Sequence, residues 1–520
     1  MAVYLFHSSL SPITISRGIQ YDEVLKLTNE GNIVYFLYCN GLMSQCFNNM
    51  TGDKAICHKC KSYYKEERKE FGGRINFIPS TSLLNDKKIK SISNYKFDYN
   101  NIEDIKNLKY NNINIGLGSL SGYISKSRNL LPLIDDDFKF FFNQNLINSI
   151  LTVEAVNKAI KKFKPDYIYL YNGRFSDSRV VWQLADKYNI PYTTLEAVYG
   201  IKRKYKSRFI NSIPHSIEKN TQLINYYWNN SDVDIDDRIR IGSSFFEKRK
   251  NAEYSGDKIY TKNQTKDLLP ANWDFTKKNI VIFNSSEDEF ASIGDEYDKY
   301  KLFDSQLVGL KFIKSKLRDN ENINITLRVH PNLNSIKYSY ATDLIKLKSE
   351  NFDVIEAGSN ISSYALLENA DTVIVFGSTI GIESVYWNKP TILLAGAMYY
   401  HLNCCYIPNT TDELINMILI DLKPNNRLQA IKYGYYIVNE ERESYSVLDF
   451  NWPSVEIFSL KNKRRKITVY NWKKLFNSRL LYRLVDELTF KVYKLYYSFY
   501  KNKGIRYKLP LKEDINKSGE

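Results

Sequence analysis

Five short apolar runs recur through the second half of the chain, at 279–283, 323–329, 353–356, 372–376 and 391–394, with segments of helical character between them. Strand–helix–strand repetition of this kind implies parallel pairing, because a chain that returns through a helix re-enters the sheet in the same direction. In an open sheet of this type the ligand sits at the carboxyl ends of the strands. Two of these ends carry polar residues suited to that place. The run 323–327 continues into Arg328-Val329-His330-Pro331, and the run 372–376 continues into Gly377-Ser378-Thr379-Ile380-Gly381-Ile382-Glu383. A cation, an imidazole, hydroxyls and a helix N-terminus are the partners that a phosphate group takes. The pattern points to a nucleotide-phosphate site. Gly377 lets the backbone come close to a ligand, and Glu383, one turn into the helix, is placed to accept ribose hydroxyls.

The first half repeats the alternation. The runs 3–6 and 33–38 read as strands with a helix at 22–29 between them. The run 166–171 ends in Asn172-Gly173-Arg174, a helix follows at 176–188, and a strand follows at 191–196. Asn172, Arg174 and Glu196 therefore end a βαβ unit. They either face an acceptor or form a structural pair. Between the two series, 236–275 is polar, rich in Lys, Asp and Asn, and without a sustained apolar period, so it reads as a linker. The expected organisation is an N-terminal domain at 1–235, the linker, a C-terminal domain at 276–440 and a helical tail at 441–520. A chain of 520 residues has room for this.

A third polar strand end follows the run 279–283. Asn284-Ser285-Ser286-Glu287-Asp288-Glu289 offers Ser285 and Ser286 as donor contacts and Glu287 or Asp288 as a general base; acids opening a helix are the simpler alternative. Gln306 adds a polar group nearby. Four cysteines, Cys39, Cys46, Cys57 and Cys60, fall within one short stretch as C-x6-C-x10-C-x2-C. Four thiolates at this density suit a structural zinc, an iron–sulfur cluster uses the same ligands, and free thiols are the remaining reading. His58 lies inside the last pair.

With 73 Lys and Arg against 58 Asp and Glu, the net charge is +15. Either an acidic partner or a bias toward Lys, Asn, Ile and Tyr accounts for it, and no nucleic-acid motif is present. The cluster Lys461-Asn462-Lys463-Arg464-Arg465-Lys466 precedes 472–501, where apolar residues recur at three- and four-residue steps among Lys and Arg. Such a basic amphipathic helix lies on an anionic membrane surface or packs across the domains. No apolar run is long enough to span a membrane, and the N-terminal apolar segment is too short for a signal peptide. The expected location is the cytoplasm, with the inner face of the cell membrane as the peripheral site.

These motifs together resemble the bacterial glycosyltransferases that build capsule and O-antigen polysaccharides. The resemblance rests on the Cys cluster, Asn172-Gly173-Arg174-Phe175, Ser285-Ser286-Glu287-Asp288-Glu289-Phe290, Arg328-Val329-His330-Pro331-Asn332-Leu333, and Gly377-Ser378-Thr379 with Glu383 and Lys389-Pro390. It implies an α/β chain of the GT-B fold, two Rossmann-like domains facing a cleft. The His-Pro and later Ser/Thr pair are similar to the donor motifs of sialyl-, polysialyl- and Kdo-transferases. There the His and the hydroxyls bind the phosphate of a cytidine nucleotide, which implies His330, Ser378 and Thr379 here, with Arg328 beside them. The implied reaction moves a sugar from a nucleotide-sugar donor, CMP-activated by preference, to a glycan or lipid-linked glycan acceptor. It requires no catalytic metal. UDP-sugar 2-epimerases, polyol-phosphate polymerases and a non-catalytic scaffold are the alternatives.

Overall fold

The structure is a computed structural model. It describes residues 1–8, 15–43, 71–198, 205–255 and 259–439, scattered positions between 45 and 68, and strand segments between 448 and 467.

The N-terminal sheet holds β1 (Val3–Ser8), β2 (Ile33–Tyr38) and β3 (Asn76–Pro79); the small hairpin β4 (Lys109–Tyr110) and β5 (Ile113–Asn114) stands apart from it. β6 (Tyr167–Tyr171), β7 (Tyr192–Val198) and β8 (Tyr205–Ile210) complete the sheet in the order β3-β2-β1-β6-β7-β8, parallel except for β8 against β7. The C-terminal sheet holds β9 (Lys278–Phe283), β10 (Ile323–Arg328), β11 (Phe352–Ile355), β12 (Thr372–Val375) and β13 (Thr391–Leu393). Its order is β11-β10-β9-β12-β13, and every pair is parallel. Both sheets wind outward in two directions from their first strand. Beside that strand, between β1 and β6 and between β9 and β12, the winding reverses and a crevice opens at the carboxyl ends. The architecture is thus α/β with two Rossmann-like units, the GT-B arrangement that the motifs imply.

The apolar runs are continuous because both faces of each sheet are covered. In β9, Ile280 and Ile282 join one buried cluster with Ile374 and Ile392, whereas Val281 and Phe283 join the opposite cluster with Val373 and Val375. The N-terminal core gathers on the helix Asp136–Phe163, started by Asp135, whose side chain accepts from the Phe138 N–H.

The domain boundary lies earlier than the sequence suggests. The helices Ile217–Asn229 and Ile235–Lys250 bury Ile224, Trp228, Phe245 and Phe246 in one cluster with Tyr433, Tyr435 and Tyr436 of the helix Arg427–Val438. The first part of the expected linker therefore belongs to the C-terminal body. Its apolar stripe, Ile239, Phe245 and Phe246, is short because Gly242 makes part of the contact. A Cβ on Gly434 would sit 2.3 Å from the Gly242 carbonyl oxygen, and a Cβ on Gly242 would sit 2.4 Å from that of Ile431. Backbone meets backbone there, and a few aromatic side chains beside it supply the burial.

The tail also departs from expectation in its described part. The segments β14 (Leu448–Asn451), β15 (Ser454–Phe458) and β16 (Arg464–Ile467) form an antiparallel sheet, and the basic cluster overlaps β16. The expected helix at 472–501 lies outside the described residues. Among the described residues, no helix is long and apolar enough to cross a membrane.

The glycine contact gives a stability test. Gly434→Leu should separate the two helices and lower the unfolding free energy by about 1–3 kcal/mol, as overpacking of a filled core does. Chemical denaturation of the variant beside Leu428→Ala, a half-exposed position on the same helix, measures it.

Candidate functional site

Strands β9, β10 and β12 end side by side, and the residues that follow them line one pocket of about 680 Å³, open mouth included. Arg328, His330, Ser378, Thr379 and Glu383, separated in sequence, are brought together in it.

Arg328 closes β10 and is 2 % exposed. Its guanidinium donates to the carbonyl oxygens of Glu356 and of Ser359 (3.1 Å) and to Ser363 Oγ (3.4 Å). All three are neutral acceptors, and among the described residues no carboxylate pairs with it. Burial pushes its pKa down to about 10, so the group stays charged at neutral pH.

His330 is held from two sides. Its backbone N–H donates to Asn284 Oδ1 at 2.8 Å, and its Nδ1 accepts the Asn332 N–H at 3.1 Å, where it caps the short turn Pro331–Leu333. A ring whose Nδ1 accepts carries its proton on Nε2, so the imidazole is neutral with a defined donor edge. Tyr260 meets the ring edge-on, with centroids 5.0 Å apart.

Beyond β12, Gly377 has φ +87°, and a Cβ there would lie 2.6 Å from the Gly396 carbonyl oxygen. It turns the chain, so that Ser378 and Thr379 rather than Gly377 line the pocket. Both are half-buried, and Thr379 starts the following helix without a side-chain capping bond. The Ser378 carbonyl is pinned by the Tyr399 hydroxyl at 2.5 Å.

Glu383 does not present an open carboxylate to a ribose. It is buried, its Oε1 takes Arg249 Nε at 3.0 Å, and its Oε2 takes the Tyr364 hydroxyl. Burial beside that carboxylate pushes the Tyr364 phenol far up, so it remains a donor. Arg249, Tyr364, Tyr260 and Gln264 are pocket residues that the sequence reading did not find. Arg249 and the loop from Ile259 to Gln264 lie in the stretch taken for a linker. The orphan signal was an Arg on a helix whose partner lies 134 residues away.

The acids after β9 do other work. Ser285 Oγ donates to the Phe376 carbonyl at 2.9 Å and accepts from Gln306 Nε2 at 2.7 Å, which ties the end of β9 to that of β12. Asp288 is buried against Arg128 of the N-terminal domain, which also donates to Ser286 Oγ at 2.8 Å. That pairing occupies its carboxylate. Glu287 differs: burial pushes its carboxyl up to about 7, against the backbone N–H of Gln306 and the Lys301 charge, which lower it. Ser285, Ser286, Glu287 and Asp288 all stand behind the pocket lining rather than in it.

On the N-terminal side, Asn172 Nδ2 donates to Glu196 Oε2 at 2.6 Å, and the Tyr171 hydroxyl donates to Oε1. Arg174 is buried, with Nε on Ser121 Oγ at 2.5 Å and a terminal nitrogen 3.3 Å from the Ala291 carbonyl. Arg179 reaches the Ile293 carbonyl at 2.7 Å. These arginines bridge to the loop after β9. Asp177, buried in the same turn, has its carboxyl pushed up to about 6 by desolvation.

Of the stretch that carries Cys46, Cys57 and Cys60, only scattered positions are described. Cys39 accepts from the Met43 N–H at 3.5 Å, and burial pushes its thiol up; Cys57 accepts from Asn49 Nδ2 at 3.3 Å. Among the described residues, no group of three or more His, Cys, Asp or Glu is gathered so as to hold a metal ion.

Residues 277–403, covering β9 to β13, match the family model described as "Capsule polysaccharide biosynthesis protein". This meets the resemblance drawn from the motifs. No curated protein matches the chain. Solved structures that align with it share little sequence. The Thermosulfurimonas dismutans KpsC beta Kdo 2,4 transferase is 14% identical over 58% of this chain and 84% of its own, with a TM-score of 0.34. The Neisseria meningitidis UDP-GlcNAc 2-epimerase bound to UDP-GlcNAc is 10% identical over 85% and 94%, with a TM-score of 0.20. The Streptomyces sp. SF2575 glycosyltransferase SsfS6, complexed with thymidine diphosphate, is 8% identical over 84% and 96%, with a TM-score of 0.22.

Two outcomes test this geometry. Glu383→Ala takes away the carboxylate that Arg249 and the Tyr364 hydroxyl share, so the fold should lose about 3–5 kcal/mol, read by chemical denaturation. Glu287 has a folded value near 7 against an ordinary 4.5. Between these values the folded chain holds more protons than the unfolded one. Stability should therefore fall as pH rises through that window, and Glu287→Gln should flatten the slope between pH 5 and pH 8.

Proposed function

We propose that the chain is a GT-B glycosyltransferase of capsule assembly, moving a sugar from a nucleotide-activated donor to a glycan or lipid-linked glycan acceptor. The observation that carries the reading is that His330, Ser378, Thr379 and the buried Arg328 line one pocket. The capsule-biosynthesis match over the same strands supports it.

The pocket's charge bears on the donor. Arg249 is neutralised by Glu383, and His330 is neutral, which leaves Arg328 as the one unpaired positive charge among the described lining residues. A CMP-sugar carries a single phosphodiester charge, whereas UDP- and GDP-sugars carry two. One charge for one charge favours the CMP-sugar.

In the reaction the sugar C–O bond to phosphate breaks, and the electron pair stays on the phosphate oxygen. His330 Nε2–H and the two hydroxyls donate to that oxygen as its charge grows, with Arg328 in the same pocket. The acceptor hydroxyl forms the new bond to the sugar and loses its proton. Of the two acids after β9 we assign that proton to Glu287, which stands outside the donor pocket and would meet the acceptor rather than the donor, because Asp288 is held by Arg128 and Glu287 titrates near neutrality. Asn172, Arg174 and Glu196 belong to the acceptor wall in this reading. The basic cluster 461–466 with the amphipathic segment 472–501 is the part we assign to an anionic membrane surface.

Thermal unfolding with CMP, UDP and GDP tests the donor. CMP should raise the midpoint most, and His330→Ala should abolish the rise and cut turnover by about 10²–10³-fold, as loss of one oxyanion donor does. Absence of a shift with every nucleotide would sink the reading.

A further inference from the structure

We propose that Arg128 is a positioning residue through which the N-terminal domain sets the imidazole of His330. Its role in turnover rests on the reading of His330 as the donor-phosphate ligand.

Arg128 ends the helix Gly116–Ser127 in the left-handed region, at φ 58°, with its N–H on the Ile124 carbonyl. Glycine is the residue favoured at such a helix end, and an L-side chain there costs about 1–2 kcal/mol. A position that keeps arginine at that cost is a place to look for a use of the side chain.

The side chain crosses to the other domain. It pairs with Asp288 and donates to Ser286 Oγ at 2.8 Å and to the Asn332 carbonyl at 3.5 Å. The Tyr340 hydroxyl donates back to the Arg128 carbonyl at 2.9 Å and lies 3.4 Å from Asp288. Asn332 is also held through its own amide, to Glu289 at 2.6 Å and Ser286 Oγ at 3.4 Å.

Asn332 is the residue whose N–H enters His330 Nδ1. The turn Pro331–Leu333 that presents this N–H is therefore gripped by a cation from the opposite domain. The other anchor of His330, Asn284, begins the same loop that carries Ser286 and Asp288. Closing the two domains seats Arg128 on Asp288 and Asn332, fixes the Asn332 N–H, and holds the ring with its proton on Nε2. Opening them releases that N–H and lets the proton choose either nitrogen. The donor edge is thus complete only when the acceptor-bearing domain is in place.

The test uses the full chain labelled with ¹⁵N-histidine. Two-bond ¹⁵N–¹H correlation separates Nε2–H from Nδ1–H rings, and His330→Ala identifies the His330 signals. Wild type should show a single Nε2–H form. Arg128→Gln should give averaged tautomers, Asp288→Asn should do the same with the arginine retained, and Arg128→Lys should keep part of the bias. In transfer assays Arg128→Gln should lower kcat by about 10²-fold, as misplacement of a catalytic group does, and CMP affinity should fall with it. Wild-type His330 signals in both Arg128→Gln and Asp288→Asn would overturn the proposal. Wild-type protein whose His330 signals ignore CMP would count against the donor-phosphate reading alone, and the tautomer comparison would still decide the role of Arg128.

Discussion

The loop that follows β9 is the constraint on which the site depends, because both domains hold it. Its Asn284 takes the His330 N–H, its Ser285 is tied to the end of β12, and its Asp288 is paired with Arg128 from the N-terminal domain. Arg174 and Arg179, from the turn after β6, reach the Ala291 and Ile293 carbonyls further along. A cation buried against a carboxylate and carbonyl dipoles in low dielectric is firmly held, since leaving it unpaired is costly. The carboxyl ends of both sheets are therefore fixed against each other through one segment.

The second organising interaction is the division of charge inside the pocket. Glu383 faces Arg249 and Tyr364, so its carboxylate contributes to holding the helix Ile235–Lys250 on the C-terminal sheet. That pairing leaves Arg328, whose partners are all neutral. Among the described residues no carboxylate answers its buried charge, and an anion entering the pocket would do so. On the proposed reading, the His330 ring and the hydroxyls of Ser378 and Thr379 would distinguish a phosphate from a simple counter-ion by offering directed donors.

Much of this was legible along the chain. Parallel strands at 279–283, 323–329 and 372–376 follow from continuous apolar runs broken by helices, and their polar ends mark where a ligand would lie. Arg328, His330, Ser378, Thr379 and Glu383 were all readable as pocket residues for that reason. The roles of Glu383 and Asp288 were not readable. Each carboxylate's meaning depends on an arginine far away in sequence, Arg249 in one case and Arg128 in the other. Arg249 lay hidden in apparent linker, because Gly242 and Gly434 make part of the helix contact and shorten the apolar stripe that would have announced it.

The sequence by itself determined the two α/β units, the strand ends that bear the site and the residue types a phosphate requires. These are local matters of periodicity, turn chemistry and side-chain function. Tertiary structure decided which of the polar groups remain available. Ion pairing and hydrogen bonding are contests between residues distant in the chain, and their outcome is fixed only when packing brings the competitors within a few ångströms.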